Sequence, residues 1–467
     1  MKKGVNKYIK KAREMLAERE RYIKQEVKKM RFDTIAVHGL YSVTEALEKN
    51  QGAIIEPIFM SASQAFHDSD EMEAALSYAI PAWTYSRIHN PSISYFEEVL
   101  ALLEGYGFDG STGCCATSSG MSAIASATEP FLVKLKKKAR EEINFVSTCQ
   151  VYGGTFQLFN VRRMEERGIE CRWVTNPNDI DQWSKNIDKN TRFLYGELPS
   201  NPGLVFFDLK KVIDLAHEHG VPFIADSTIA TPALLRPITY GADIVVQSVT
   251  KTLTASGFGI AGAVISRKNI VSNIPNDAMR EDFALYLKQL PNRDIGWCLS
   301  PMQAILSLND IRTLRTRIDI LSQNTMKVAK FLEGHPKVAQ VNYLGLESHP
   351  LYEVASKYLW LVDAEYDERY QMPVNRYGHL LSFVVKGGIN SARKMADNLK
   401  RIWRATDLGR IKSVITIPAI STHQQMGACA RCMACIPSGL VRLCVGGEHP
   451  DDIIADLDHA LRKVGGK

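Results

Sequence analysis

Between about residue 110 and residue 265 the chain switches repeatedly between short strand-favouring runs and longer stretches with helical spacing, and nothing else restricts its fold so strongly. Residues 145–149, 193–197, 222–226 and 243–248 form the β-rich runs, and helical stretches such as 208–219 separate them. Alternation of this kind predicts a mainly parallel sheet covered on both faces. Sites in such sheets lie beyond the carboxyl ends of the strands, and Glu197, Asp226 and Ser248 each close one of the runs. A long helical pattern over 301–331 leads into a smaller α/β segment. The last helix of that segment is expected to begin just after Glu448, His449 and Pro450. No internal repeat or low-complexity linker interrupts the chain.

Lys251 follows a β-run and two hydroxyls, in Ser248-Val249-Thr250-Lys251. Alone, a lysine at such a place is a solvated surface group. Its company changes the reading. Asp226 closes another run 25 residues earlier, and Thr117-Ser118-Ser119-Gly120-Met121 opens an apolar helical run expected to span 123–135. An amine at a sheet rim can form an imine, and an acid can keep a pyridine nitrogen protonated. A glycine-bearing helix start offers free N–H groups to a phosphate. Serine-rich helix starts are common caps, but the three features in this order point to pyridoxal 5'-phosphate (PLP).

These residues also carry a family resemblance. Tyr85-Ser86-Arg87-Ile88-His89-Asn90-Pro91, Ser119-Gly120-Met121, Tyr152-Gly153-Gly154-Thr155, Glu197-Leu198-Pro199-Ser200-Asn201-Pro202, Asp226-Ser227-Thr228, Ser248-Val249-Thr250-Lys251 and Arg442-Leu443-Cys444-Val445-Gly446 resemble, in order, the Cys/Met-metabolism (trans-sulfuration) PLP enzymes. Gly345-Leu346-Glu347-Ser348-His349-Pro350 and the segment 448–457 resemble most the O-acetylhomoserine sulfhydrylase branch. The resemblance implies an aspartate-aminotransferase-like (fold type I) α/β chain, with a large domain built on a mainly parallel sheet and a smaller C-terminal α/β domain. The expected divisions are a helical extension over 1–31, an arm over 32–90 reaching a neighbouring subunit, a large PLP-binding domain over 91–301 and a small domain over 302–467.

Roles follow from the same resemblance. Lys251 is expected to hold the cofactor and then act as general base, with Asp226 at the ring nitrogen and Tyr152 stacked on the ring. Asn201 is expected at the phenolic oxygen, and Thr228 among the cofactor-binding residues. Ser119, Gly120, Met121, Ser248 and Thr250 are expected around the phosphate. Tyr85 and Arg87 are expected to act on the partner's cofactor, which makes a homodimer the catalytic unit and a homotetramer the expected assembly. Arg442 is expected to grip the substrate α-carboxylate as a planar two-pronged donor. The implied reaction is γ-replacement on an activated homoserine by sulfide or a thiol. A γ- or β-lyase acting on cystathionine, methionine or cysteine is the enzyme alternative, and a silent homologue acting as an interaction protein is the non-enzyme alternative.

The pattern breaks at three places. Thr254-Ala255-Ser256-Gly257-Phe258 stands where the sulfhydrylases read Gly-Gly-His-Gly-Thr, and Gly154 replaces the cysteine of methionine γ-lyases. Thr406-Asp407-Leu408-Gly409 puts an acid where relatives carry Ser or Asn, so Asp407 is expected beside Arg442 as a substrate-recognition residue. Cys429, Cys432 and Cys435 form CxxCxxC, a spacing that suits zinc or an iron–sulfur cluster if Cys444, His423 or another group supplies a fourth ligand. The expectation is that no metal is needed and that these are unligated or redox-active thiols near the mouth of the site.

Charge is uneven. Residues 1–31 carry twelve Lys/Arg and four Glu, a net of +8 against +6 for the whole chain, so the remainder is left at −2. A nucleic-acid footprint over the body is therefore unsupported. Val5, Ile9, Ala12, Leu16, Ile23, Val27 and Met30 recur mostly at helical steps with Arg19 interrupting. They predict an amphipathic helix docked on this chain or a sister subunit; a membrane-surface or nucleic-acid helix is the competing reading. No apolar run approaches the roughly 18–20 residues of a membrane span. No hydrophobic signal region follows the N-terminus, and the expected location is the cytoplasm. Nine cysteines in 467 residues make no disulfide framework.

Overall fold

A computed structural model describes residues 3–135 and 142–465. The first two residues of the expected extension and the last two of the expected small domain lie outside the described residues. Seven strands form the large sheet: β1 (Thr112–Thr117), β2 (Asn144–Thr148), β3 (Glu170–Val174), β4 (Thr191–Glu197), β5 (Phe223–Asp226), β6 (Ile244–Gln247) and β7 (Gly262–Arg267). Their order is β1-β7-β6-β5-β4-β2-β3. From β3 to β6 every pairing is parallel. β7 runs against both its neighbours, β6 and β1. The reversal follows from the connection. Between β6 and β7 the chain forms one short 3-10 turn, Thr252–Thr254, and a parallel return needs a full crossover, usually an α-helix.

β2, β4, β5 and β6 are buried along their whole length, as a sheet covered on both faces requires. Their side chains alternate between two cores. Val146, Leu194, Ala225 and Val245 face one; Phe145, Phe193, Tyr195, Ile224, Ile244 and Val246 face the other. Phe145 and Phe193 stack there at 4.7 Å between ring centroids. Each such buried side chain contributes about 1.5–3 kcal/mol relative to exposure, so truncating Phe193 to alanine costs about 3–5 kcal/mol.

The second sheet comprises β8 (Val338–Asn342), β9 (Leu380–Val385), β10 (Trp403–Arg404), β11 (Val414–Thr416) and β12 (Leu440–Cys444), in the order β10-β11-β12-β9-β8. β12 is its centre, antiparallel to β11 and β9. The expected last helix spans Pro450–Arg462, capped by His449.

Two expectations need correction. The helix opened by Gly120 ends at Thr128 and passes into the 3-10 turn Glu129–Phe131, because Pro130 has no N–H to continue the ladder. The pattern over 301–331 divides into two helices, Pro301–Ile311 and Leu314–Glu333. The break keeps Ile311 and Leu314 both fully buried. The N-terminal helix, Lys3–Gln25, packs on this chain along its first half, where Val5 and Ala12 are buried, and again at Val27 just beyond its end, whereas Leu16 is 43% exposed. Arg19 interrupts the stripe because it reaches Glu98, on the helix Pro91–Glu104, in an ion pair.

Candidate active site

β4, β5 and β6 end side by side, with Glu197 paired to Asp226 and Asp226 to Val246 in register. The polar residues that close these strands therefore gather on one edge. Asp226 is buried and accepts from the Thr228 backbone N–H at 3.1 Å and from the Tyr195 hydroxyl at 3.2 Å. Glu197 accepts at 2.7 Å from the N–H of Tyr152 and at 2.7 Å from that of Asn201. Burial raises the affinity of both carboxyls for a proton, and repulsion from Asp226 raises that of Glu197 further.

The helix Gly120–Thr128 starts at the same edge, capped by Ser119, whose hydroxyl accepts from Ser122 N–H. Gly120 is required there: a Cβ would stand 2.5 Å from the Cβ of Ser248. The Ser248 N–H donates at 2.8 Å to the Thr228 hydroxyl, which locks the end of β6 to the end of β5. Thr250 bonds within its own connection. Its hydroxyl donates to the Ala261 carbonyl and accepts from the Ala261 N–H, at 3.0 and 3.1 Å, so it holds the β6–β7 connection together.

Lys251 sits at the start of that connection and extends Nζ to the Asp407 carboxylate at 2.8 Å. Asp407 also takes Arg410 Nε and the Leu408 N–H, at 2.9 Å for the latter. Burial opposes its charge, but Lys251 and Arg410 prevail and hold the carboxyl below its ordinary pKa. Gly409, at φ +81°, lets this loop lie flush on the lysine: a Cβ would come within 2.8 Å of Lys251 Cα.

Arg442, on β12, is 1% exposed. It donates through Nη1 to Asn201 Oδ1 at 3.2 Å, and through Nη2 to the carbonyls of Thr406 and Asp407 at 2.8 and 2.7 Å. Its Nε has no partner among the described residues. Burial lowers its pKa to about 10. Asp407 thus lies beside Arg442 as expected, but offers it a main-chain carbonyl; the carboxylate goes to Lys251 and Arg410. Tyr152 is 38% exposed, with its ring edge-on to His423 at 6.5 Å. Tyr85 and Arg87 stand apart from this cluster. Both are exposed, with Arg87 over the Tyr85 ring and bonded to the Arg293 carbonyl.

Ser256 bonds Asp310 through N–H and hydroxyl, and Phe258 is exposed. Cys429, Cys432 and Cys435 are exposed thiols. Among the described residues no three His, Cys, Asp or Glu side chains stand together as metal ligands. Sequence reasoning had noted Glu197 only as the end of a strand and had missed Tyr195 and Arg410. Their roles arise from contacts across the fold, and the sole signal was the position of Glu197 on the same edge as Asp226.

A family profile described as Cys/Met metabolism PLP-dependent enzyme matches residues 33–462. A homocysteine synthase of Schizosaccharomyces pombe is 34% identical over 87% of this chain and 93% of its own. An L-methionine gamma-lyase of Porphyromonas gingivalis is 33% identical over 94% and 98%. The crystal structure of an O-acetylhomoserine (thiol)-lyase from Campylobacter jejuni, which carries N'-pyridoxyl-lysine-5'-monophosphate, superposes with a TM-score of 0.81 at 31% identity, covering 93% of this chain and all of that one. The fold is that of the fold type I PLP enzymes. The donor set fits the cofactor: a lysine amine, a buried acid at a strand end, a helix N-terminus pressed against a serine, and an arginine with a buried N–H left over for an anion.

Proposed function

The chain belongs to the Cys/Met-metabolism PLP-dependent enzymes, and from that premise we propose that it catalyses γ-replacement, joining sulfide or a thiol to an activated homoserine. One observation carries the reading. Asp407 receives Lys251 Nζ on its carboxylate and Arg442 Nη2 on its carbonyl. A proton-moving amine and a carboxylate clamp thereby meet on one residue, an arrangement that suits an α-amino acid held by its carboxylate. The likeness to a homocysteine synthase and an O-acetylhomoserine (thiol)-lyase supports γ-replacement as the reaction.

In this reading Lys251, Asp226, Asn201, Tyr152, Thr228 and Ser248, with the Ser119-Gly120-Met121 helix start, hold the cofactor. Bound PLP supplies the electron sink. The Lys251 amine removes the proton from Cα and later from Cβ. Arg442 orients the substrate by its carboxylate, exchanging a main-chain carbonyl for the stronger charged acceptor. Asp407, released from Lys251 once that amine is engaged, keeps Arg410 and accepts a hydrogen bond from the incoming substrate. Tyr85 and Arg87, exposed and away from this cluster, serve the site of a second subunit, and the homodimer is the catalytic unit.

The test is product identification after incubating the holoenzyme with O-acetylhomoserine, with and without sulfide. Homocysteine formed only with sulfide supports the proposal. Ammonia and 2-oxobutanoate in equal yield with and without sulfide would make the chain a lyase.

A further inference from the structure

The cysteine motif is not used by this chemistry, and its geometry is specific. The helix Gly427–Met433 ends with the Cys435 N–H donating to the Cys432 carbonyl at 3.0 Å and the Ile436 N–H donating to the Arg431 carbonyl at 2.8 Å. These are the two bonds of a Schellman cap, whose left-handed position is normally glycine. Here Cys435 occupies it, at φ +57°. The cap holds Cys432 and Cys435 across one closed turn, whose end Cα atoms lie within about 7 Å. A disulfide needs about 4.4–6.8 Å.

Both thiols line one hollow of about 450 Å³, with Arg431, Ile436 and Pro437. The hollow adjoins the loop that carries Tyr152. Cys149 Sγ donates to the Met433 carbonyl at 3.3 Å, and Arg431 Nη1 donates to the carbonyls of His423 and Gln424 at 3.3 and 3.2 Å. The His423 ring meets the ring of Tyr152. The site thus has two accessible thiols held on one turn and lining one hollow, a cation at their side, and, on the γ-replacement reading, a consumer of sulfide nearby.

We propose that Cys432 and Cys435 form a sulfur-accepting dithiol that takes sulfane sulfur from small anionic persulfides and releases hydrosulfide beside the active site. The proposal rests on the γ-replacement reading for its purpose, not for its chemistry. One thiolate, written here for Cys432, attacks the terminal sulfur of R–S–SH. The S–S bond breaks, R–S⁻ departs, and Cys432 carries the extra sulfur. The Cys435 thiolate then attacks Cys432 Sγ, forming the Cys432–Cys435 disulfide and expelling HS⁻. The transferred sulfur gains two electrons and the two thiols lose two. A small-molecule dithiol reopens the disulfide by exchange. Arg431 draws the anionic donor to the hollow.

The experiment treats reduced holoenzyme with glutathione persulfide in the absence of amino-acid substrate. Released hydrosulfide and a mapped Cys432–Cys435 disulfide are expected. Cys435→Ser should instead retain one cyanide-labile sulfur, because the resolving thiol is missing. With O-acetylhomoserine present and no added dithiol, the double variant Cys432→Ser/Cys435→Ser should keep turnover on free sulfide within about twofold, and its homocysteine yield from persulfide in a single turnover should fall by about tenfold or more against the unaltered enzyme. Hydrosulfide release undiminished in the double variant, or a disulfide mapped to other cysteines, overturns the proposal. Absence of turnover on free sulfide in the unaltered enzyme overturns the γ-replacement reading and leaves the sulfur-release result to stand by itself.

Discussion

The strand ends of the large sheet and the small-domain wall facing them treat acidic groups in opposite ways. On the strand side Glu197 and Asp226 are buried next to each other, satisfied by backbone N–H groups and a tyrosine hydroxyl, and both hold protons more firmly than ordinary carboxyls. On the wall Asp407 is partly open to solvent, is flanked by two cations, and gives up its proton more easily. The strand side spends its polar groups on its own architecture, and what it offers outward is a fixed frame for a rigid ring. The wall offers charge that can change partners. Of the features that set this chain apart, Asp407 and the cysteine motif lie on the wall side, whereas Gly154 and residues 254–258 lie on the large-domain side. In the proposed roles the frame carries the cofactor residues, and the wall carries Asp407 and Arg442.

The largest expected effect breaks the frame. Lys251→Ala should abolish borohydride-fixed cofactor and lower turnover by at least about 10²–10⁴, the scale of a lost positioned base. Retained covalent cofactor on intact-mass measurement would move the attachment elsewhere. Next comes the strut between Tyr152 and Asn201. Glu197→Gln leaves one carbonyl oxygen for two buried N–H donors, and should cost about 1–3 kcal/mol. A lower urea midpoint at unchanged slope would show it.

On the wall, Asp407→Asn keeps the size and removes the charge. Preference among O-acetylhomoserine, O-succinylhomoserine, methionine and cystathionine, read as kcat/KM, should shift several-fold, on the order of 1 kcal/mol. Unchanged ratios across that panel would remove Asp407 from substrate choice.

The last prediction is one of sign and concerns a buried carboxyl away from both. Glu104, fully buried, titrates near pH 8 because burial outweighs the pull of Arg236. Its unfolded pKa is about 4.3. The folded state keeps the proton over this interval and the unfolded state loses it, so rising pH from about 4.3 to 8 lowers stability through this group. Glu104→Gln should thus stabilise the protein more at pH 8 than at pH 5. Thermal midpoints at the two values test the sign.

How far the chain could be read from its letters follows the same division. Strand–helix alternation located β2, β4, β5 and β6 nearly to the residue, since a sheet buried on both faces leaves an apolar run ended by a polar residue. Ser119, Gly120, Asp226 and Lys251 stood out because their order and spacing are local patterns. Which way Asp407 points was not legible, because its partners lie 156 positions away at Lys251 and three away at Arg410, and only the docking of two domains decides between them. The open second half of the N-terminal helix was hidden for a related reason. An amphipathic stripe states which face is apolar, not how much of it finds a surface.

The distance in sequence between frame and wall has a consequence during synthesis. Asn201 and Arg442 meet across 241 positions, and β12 emerges 177 residues after β7. At about 5–20 residues per second, that interval is roughly 9–35 s. A chain paused after β7 already carries Glu197, Asp226 and Lys251 at adjoining strand ends, but neither Asp407 nor Arg442. In the proposed roles, the lysine and acid for the cofactor are thus synthesised well before the arginine for the substrate carboxylate.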